Sequence, residues 1–260
     1  LSKPEESRVR VDLVYATRIY KQPDPAHRPD YKSLYAIGMP PEGKRIGIIG
    51  PIEGDRWVTL TAGMLGDHPP SDPEGYLQYA KGLPVDDMYR LLRHAEPLSD
   101  VVLHKFPSYQ RRHYERLRDL PEGLVVLGDA HCSFNPIYGQ GMTTAVLSAQ
   151  LLGTSLSAHQ ERNEGSLDGL SRSYQESLAS LVDIPWLMAT GEDFRYPEVE
   201  AERPIGYPIL EWLMGRLHES VAHDRVLAKQ FLLAMHMMEP PTSLFSPRFL
   251  WRILAGGIAS

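Results

Sequence analysis

The sequence predicts an α+β protein, with an antiparallel sheet first, then one strand-loop-helix unit, then a mainly helical C-terminal region. Three observations predict this class: early runs of β-branched and aromatic residues, a short apolar run that ends in a glycine-rich loop, and helical spacing of apolar residues after it. The corresponding segments are expected at 1–119, 120–160 and 161–260. A chain of 260 residues with 42% hydrophobic content can bury a sizeable core.

The sheet is predicted from one long strand and a hairpin. Residues 8–20 are rich in β-branched and aromatic side chains, which suit a pleated surface. Two apolar runs at 44–49 and 56–62 flank turn-forming residues at 50–55, a pattern typical of a hairpin. A further strand is expected at 101–106.

Helices are predicted where apolar residues recur at helical spacing. Two short helices are expected at 72–79 and 86–94, and longer ones at 170–182, 209–219 and 225–238. The proline-rich joints that break this C-terminal region include Pro185, just after 170–182. On the helix that begins near residue 141, five apolar residues share one face: Met142, Ala145, Val146, Ala149 and Leu152.

Composition excludes several classes of function. A net charge of -6 leaves no basic surface for nucleic acid, and no run approaches the roughly 18 apolar residues of a transmembrane helix. The single cysteine, Cys132, fits a reducing compartment, and with no signal peptide at the first residues the expected location is cytoplasmic. Cys132 itself is interpreted as a small buried filler. The ten histidines show no ligand spacing, so no metal site is predicted.

The stretch from Gly128 to Thr143 carries the chemistry. An apolar run at 123–127, which predicts a fully buried parallel strand, leads into Gly-Asp-Ala, then a loop with proline and two glycines, then a helix. The first amides of a helix have no internal acceptor, and the helix dipole adds positive charge there. A negatively charged ligand group is therefore favoured at this helix start, and the glycines allow it to approach the backbone.

This stretch resembles the second FAD-binding motif of the group A (aromatic-hydroxylase-like) flavoprotein monooxygenases, in which Gly-Asp-Ala leads through Pro-x-x-Gly-Gln-Gly into a helix. The resemblance implies that Asp129 hydrogen-bonds the ribityl chain, that the helix start faces the pyrimidine edge of the flavin, and that Pro136 lies near the reactive edge. The cofactor-binding residues so implied are Gly128, Asp129, Pro136, Gly139, Gln140, Gly141, Met142 and Thr143.

Two details refine the resemblance. The commoner family pattern has its histidine one position later than His131, so His131 inherits no role. The string at 132–142 looks like a branch that includes polyether-type polyketide epoxidases and, more distantly, squalene epoxidase. That comparison favours an alkene or polycyclic substrate, which is a small hydrophobic organic molecule.

The implied activity is monooxygenation. In the family NAD(P)H reduces FAD, oxygen adds at flavin C4a, and the hydroperoxide delivers one oxygen atom to an alkene or aromatic carbon. The sequence shows no side chain that must act as acid or base, because this chemistry belongs largely to the cofactor. Alternate strand positions share a face, so the substrate pocket wall is predicted to include Tyr15, Thr17, Trp57 and Thr59.

The resemblance covers residues 8–155 and implies a partner segment. A complete member begins with a strand, a Gly-x-Gly-x-x-Gly turn and a helix that bind the pyrophosphate, and no such motif occurs in this sequence. A missing N-terminal segment of about 150 residues or more is therefore expected.

Several alternatives stay open. The same scaffold serves flavin-dependent halogenases and prenyl reductases, and the chain as it stands is also consistent with an inactive truncated remnant. Arg111, Arg112 and Arg116 are interpreted as a solvated helix face, with steering of NADPH as the alternative. The tail at 245–258 is expected to pack against the missing domain, and contact with a membrane is open but not expected.

Overall fold

The structure is a computed structural model that describes residues 2–24, 28–162, 165–201, 203 and 206–255. The chain divides into two compact units. The sheet unit comprises Arg10–Ser108 and Arg195–Glu200. The helical unit comprises Leu1–Val9, Tyr109–Phe194 and Ala201–Ser260.

A five-stranded sheet is built from β1 to β5 in the order β2-β3-β4-β1-β5. The strands are β1 Glu6–Lys21, β2 Leu34–Ile37, β3 Arg45–Ile52, β4 Arg56–Gly63 and β5 Val102–Arg112. The pairs β1/β4, β2/β3 and β3/β4 are antiparallel, which confirms the predicted hairpin and the long first strand. The edge strand β2 was not predicted, because four residues carry too little alternation to indicate a strand.

The two faces of the sheet differ in cover. One face carries Ala16, Tyr20 and Trp57, which are buried with residues of α1 Pro73–Lys81 and α2 Asp87–Leu92. Successive residues of a strand point to opposite faces, so Thr17 and Ile19 of β1 lie on the opposite face from Ala16 and Tyr20. Their partners Leu60 and Val58 in β4 lie on that face as well. They are only partly buried. We call this second side the outer face; its residues are Tyr15, Thr17, Ile19, Tyr35, Ile37, Ile46, Ile48, Val58, Leu60 and Ala62.

Both short helices of the sheet unit are confirmed. Asp72 is the N-cap of α1, where its side chain accepts a 2.7 Å hydrogen bond from the amide of Gly75. This bond satisfies one of the amides that a helix start leaves unpaired. The second helix, α2, begins after Asp86, whose side chain makes no capping bond.

The described residues of the helical unit form five further α-helices: α3 Gly141–Arg162, α4 Leu170–Asp193, α5 Tyr207–Val221, α6 Arg225–Met235 and α7 Pro247–Ala255. They form two hydrophobic clusters. The first joins Cys132 and Phe134 to Tyr174, Leu178 and Val182 of α4. The second is shared by α5, α6 and α7, with members Met214, Leu217, Leu227, Ala234, Leu244 and Ile253.

The predicted break at Pro185 is wrong, because α4 continues through it to Asp193. A proline inside a helix removes one hydrogen bond and crowds the preceding turn. Here Val182, Pro185 and Ala189 are all buried on one side of the helix. Packing of this apolar side offsets the missing bond, a tertiary effect that local sequence does not reveal.

The predicted parallel strand at 123–127 is also wrong. No strand is assigned there, although Leu127 has extended backbone and Val125 and Leu127 pack partly against the first hydrophobic cluster. A strand exists only when its backbone groups pair with a neighbour, and within the described ranges this segment takes part in no strand pairing.

Among the residues that the structure describes, no helix is long and apolar enough to cross a membrane. The predicted tail at 245–258 includes α7, on which Trp251 is exposed while Ile253 is buried in the second cluster. Residues 256–258 of that tail lie outside the described residues.

Candidate functional site

Two short turns and a helix start form one rim in the helical unit. Gly128–Ala130 and Pro136–Tyr138 are single 3-10 turns, and α3 begins at Gly141, three residues after Tyr138. Gly128 has φ 59° and Gly139 has φ 69°, values in the left-handed region that glycine adopts without strain. The two glycines therefore let the chain turn sharply before α3.

The start of α3 is open. The first α3 amide that donates to a backbone carbonyl is that of Thr144, which bonds Gln140 at 3.0 Å. In the described part of the chain, the amides of Gly141, Met142 and Thr143 have no acceptor. The Met142 side chain is 84% exposed and a Cβ built on Gly139 would meet nothing within 4 Å. Three free donors and the positive end of the helix dipole thus face open space.

The Asp129 carboxylate lies beside this helix start. A Cβ built on Gly141 would be 3.9 Å from Oδ1 of Asp129. Asp129 is exposed and makes no hydrogen bond or ion pair with any described residue. Its turn is fixed by β5, because Arg112 donates to the carbonyl of Ala130 at 2.8 Å and to that of His131 at 2.9 Å. The rim thus presents one free carboxylate next to three free amides.

Behind the rim, the 135–139 turn is tied to the last residue of α4. Asp193 is completely buried and accepts from Tyr138 Oη at 2.8 Å and from Asn135 Nδ2 at 3.0 Å. Its second oxygen accepts from Tyr109 Oη at 2.7 Å. Asn135 also uses its own Oδ1 to accept from the amide of Ile137 at 3.2 Å. Both ends of the turn are therefore bound to one carboxylate.

Burial dominates the ionisation of this group. Desolvation raises the pKa of Asp193 to about 7, although its three donors favour the charged form. The pKa values of Tyr109 and Tyr138 are well above the usual range for tyrosine, first because both hydroxyls are desolvated and second because Asp193 lies beside them. Both tyrosines remain donors at neutral pH.

The rim has the features that a flavin requires. The pyrimidine edge of reduced flavin is negatively charged, and the three unpaired amides of Gly141, Met142 and Thr143 are donors suited to it. Asp129 offers acceptors for the hydroxyls of a ribityl chain. Gln140 is buried, and its Oε1 has no donor among the described residues, which is unusual for a buried polar atom and marks a missing partner. The residues present therefore fit FAD.

His131 and Cys132 lie under the rim rather than on it. His131 is buried, and desolvation lowers its pKa to about 4. The Cys132 thiol is buried in the first hydrophobic cluster, and desolvation raises its pKa to about 12. Cys132 is thus the buried filler that the sequence predicts, and His131 is a neutral ring at neutral pH.

The four predicted pocket residues do not share a face. Tyr15 and Thr17 lie on the outer face, where the Tyr15 ring is 4.9 Å from that of His104. Trp57 and Thr59 lie on the covered face, where Trp57 is in the core and Thr59 bonds Tyr76 at 2.8 Å. The register explains the difference, because odd-numbered residues of β4 pair with even-numbered residues of β1. Trp57 and Thr59 therefore share a face with the even-numbered residues of β1, whereas Tyr15 and Thr17 point to the other face.

The predicted arginine surface is wrong as well. Arg111 and Arg112 belong to β5, not to a helix. Arg111 is buried, and its guanidinium donates to Asp183 at 2.7 Å. Arg116 pairs with Glu5 at 2.9 Å. Arg112 also pairs with Glu6, at 3.4 Å. Since all three guanidiniums bind carboxylates within the helical unit, the site does not depend on them to attract a ligand.

Sequence reasoning missed the residues behind the rim. Asn135 and Tyr138 stand inside the motif but were given no role, and Asp193 is 58 residues from Asn135. An aspartate at the end of a long helical stretch carries no local signal of burial. The motif itself was the one available signal. A loop with a fixed shape needs hydrogen-bond partners for its polar groups, so a partner from another element could have been expected for Asn135 and Tyr138.

The fold is that of flavin-dependent enzymes. The brominase Bmp2 aligns with a TM-score of 0.53 over 86% of this chain and 52% of its own, at 13% identity. A flavoprotein/dehydrogenase from Cytophaga hutchinsonii aligns with 0.52 over 74% of this chain and 43% of its own, at 15% identity. Klebsiella pneumoniae HpxO, solved with FAD and uric acid, aligns with 0.50 over 98% of this chain and 56% of its own, at 16% identity.

The chain is also similar in sequence to a mycobacterial protein. Protein Rv3254 of Mycobacterium tuberculosis (strain ATCC 25618 / H37Rv) is 27% identical over 243 residues, which are 91% of this chain and 49% of that protein. The chain therefore spans about half the length of the curated relative it matches. No family model matches the sequence.

Proposed function

We propose that this chain is the C-terminal portion of a FAD-dependent monooxygenase that inserts one oxygen atom from O2 into an alkene or aromatic substrate. The observation that carries the proposal is the open start of α3, with three unpaired amides beside the free carboxylate of Asp129. The fold shared with flavin-dependent enzymes supports it.

Each rim residue has a task in this proposal. The amides of Gly141, Met142 and Thr143 stabilise negative charge on the pyrimidine edge of the reduced ring, because they are preorganised donors at a helix start. Asp129 accepts hydrogen bonds from the ribityl hydroxyls, and Pro136 lies at the reactive edge and limits water there. Bound FAD supplies the activation of oxygen, with NAD(P)H as the source of electrons.

A preceding segment completes the cofactor site in this proposal. Met142 and Val146 of α3 are 84% and 68% exposed, and both lie on the apolar face that the sequence predicts. Leu127 has extended backbone, and the segment 123–127 pairs with no strand in the described ranges. We expect the preceding polypeptide to pair with 123–127, cover this face of α3 and bind the pyrophosphate.

The outer face of the sheet is the proposed surface for a small hydrophobic substrate. Ile19, Val58 and Leu60 are only partly buried there, and Tyr35 is 64% exposed. A sheet face of this composition binds an apolar molecule by removing its surface from water. Tyr15 and Thr17 are side chains with a hydroxyl on this face of β1, and they are suited to orient such a molecule.

No feature of the described residues specifically favours halogenation or reduction on the same scaffold. The likeness to a brominase extends to the fold alone. The products decide between these reactions: an oxygenated substrate supports the proposal, whereas a halide-dependent halogenated product or a saturated product contradicts it.

The experiment expresses this chain with and without the coding sequence that precedes it. We expect the longer polypeptide to purify with FAD and to consume NAD(P)H and oxygen when an apolar alkene is present. The shorter chain should bind FAD weakly, because the pyrophosphate-binding half is absent. A longer polypeptide that folds and retains no flavin at saturating FAD contradicts the proposal.

A further inference from the structure

Asp193 accepts from two residues of one short turn. Tyr138 Oη binds Oδ1 at 2.8 Å, and Asn135 Nδ2 lies 3.0 Å from Oδ1 and 3.3 Å from Oδ2. Asn135 in turn accepts from the amide of Ile137. The carboxylate thus binds Asn135, the first residue of the 135–139 turn, and Tyr138, the residue before its last.

The same carboxylate has a third donor that is not part of the turn. Tyr109 of β5 binds Oδ2 at 2.7 Å, and its ring packs edge-on against Trp186 at 5.3 Å. Loss of this hydroxyl removes a hydrogen bond from Asp193 but leaves both bonds to the turn in place. Tyr109 is therefore an internal control for the two donors of the turn.

Only a carboxylate meets this demand. In the charged form its two oxygens accept from all three donors, and it has no donor of its own that requires an acceptor. An asparagine at position 193 keeps one acceptor oxygen. Its NH2 group takes the place of the second oxygen, so two donors then face each other with no acceptor between them. Since Asp193 has no solvent exposure, water cannot replace the lost acceptor.

The turn held in this way carries two rim residues, Pro136 and Gly139, and leads into the open start of α3. We propose that Asp193 is a positioning residue for the cofactor: its carboxylate holds the 135–139 turn in the shape that receives the flavin. This inference rests on the proposed function. Asp193 acts through Asn135 and Tyr138 and does not contact the cofactor.

The test measures backbone exchange and FAD affinity in the full-length protein and three variants: Asp193→Asn, Tyr138→Phe and Tyr109→Phe. Hydrogen exchange is read at the amides of Ile137, Tyr138 and Gly139 without FAD, where each amide has an acceptor in the turn. Flavin fluorescence then gives the dissociation constant of FAD.

We expect Asp193→Asn to accelerate exchange of these amides about tenfold, because the turn loses a hydrogen bond to a charged group. FAD binding should weaken about tenfold, because the loosened turn must be ordered again when the cofactor binds. Tyr138→Phe should show about a threefold change in both readouts. Tyr109→Phe should lower the thermal midpoint about as much as Tyr138→Phe, yet leave FAD affinity within about twofold.

Three results decide the inference. Equal losses of FAD affinity in Tyr109→Phe and Tyr138→Phe overturn it, because the effect then follows stability and not the turn. Wild-type exchange and affinity in Asp193→Asn also overturn it. If the wild-type protein binds no FAD, the proposed function fails, whereas a failure of the positioning role alone leaves wild-type FAD binding intact.

Discussion

The two sides of the 135–139 turn differ in how much of their hydrogen-bonding capacity is used. On the inner side, Asp193 is buried and accepts from Asn135, Tyr138 and Tyr109. On the outer side, Asp129 and the first amides of α3 are open and have no partner in the described part of the chain. Both sides contain an aspartate, and the two aspartates have opposite surroundings.

This difference separates residues that hold the structure from residues available to a ligand. A buried carboxylate is tolerated only when its partners are in place, so the inner side must affect stability. An exposed carboxylate with no partner contributes little to stability, so its value lies in what it binds. Variants on the two sides should therefore have distinct effects.

The largest expected effect is on the inner side. Asp193→Ala leaves the donors of Tyr109, Tyr138 and Asn135 buried and unpaired, and we expect the free energy of unfolding to fall by about 3–5 kcal/mol. Urea denaturation measures it. The matched control is Asp129→Ala, expected within about 0.5 kcal/mol of wild type. Similar stabilities for the two variants would remove the distinction between the sides.

The second effect is on the outer side and concerns affinity. Asp129→Ala should weaken FAD binding by about 1.5–3 kcal/mol, roughly tenfold to a hundredfold, because hydrogen bonds to a charged acceptor are lost. Equilibrium titration of the full-length protein with FAD measures this. Asp129→Asn keeps the shape and one acceptor oxygen, and should lie between Asp129→Ala and wild type. Unchanged affinity in Asp129→Ala would contradict a role for this carboxylate.

A third prediction extends the comparison to the sheet, which also has a covered and an outer face. A Cβ on Gly47 would lie 2.3 Å from Cδ1 of Leu83 and 2.9 Å from Sδ of Met88. Gly47→Ala should therefore lower stability by about 1–3 kcal/mol. On the outer face, a Cβ on Gly50 meets only Val58, at 3.9 Å.

Gly50→Ala is the control, and its thermal midpoint should match or slightly exceed that of wild type. Equal destabilisation by the two substitutions would mean that the two faces are equally covered.

The smallest expected effect is a pH dependence in which two buried groups oppose each other. The pKa of Asp193 is about 7 against an ordinary 3.8, so the folded state holds this proton more tightly and stability falls as pH rises from 4 to 7. The pKa of His131 is about 4 against 6.5, so stability rises over nearly the same range. Each slope is at most about 1.4 kcal/mol per pH unit.

Variants separate the two titrations. Asp193→Asn leaves only the His131 titration of the two, so stability should rise more steeply from pH 4 to 6.5. His131→Gln leaves only that of Asp193, so stability should fall over the same range. The charge of Glu115 also acts on His131, and hydrogen bonding to His113 helps to lower the pKa of Glu115 below its ordinary value. Denaturation curves across the range measure the slopes, and parallel curves for both variants contradict these assignments.

The sheet shows what a sequence predicts well. Alternating apolar residues and a turn cluster sufficed for the β3/β4 hairpin, because a strand's pattern is local. The register of β1 against β4 is not local, and without it Trp57 was assigned to a pocket wall although it belongs to the core.

For the candidate site, the sequence predicted the rim but not the buried residues behind it. The motif indicates the rim, since Gly128, Asp129 and Gly139 belong to one short stretch of sequence and the positive φ of the two glycines follows from residue type. Asp193 was missed because burial and pairing at the end of α4 depend on how distant elements pack. The strand predicted at 123–127 failed for the same reason, because pairing requires a neighbour that the segment itself does not specify.

The most direct test of the account follows the backbone amides during addition of FAD. In the nitrogen-15 spectrum of the protein, we predict that saturable FAD binding produces its largest shifts at Gly139, Gln140, Gly141, Met142 and Thr143, and that Asp129→Ala reduces the affinity. Saturable binding that leaves the amides of Gly141, Met142 and Thr143 unshifted would contradict the account.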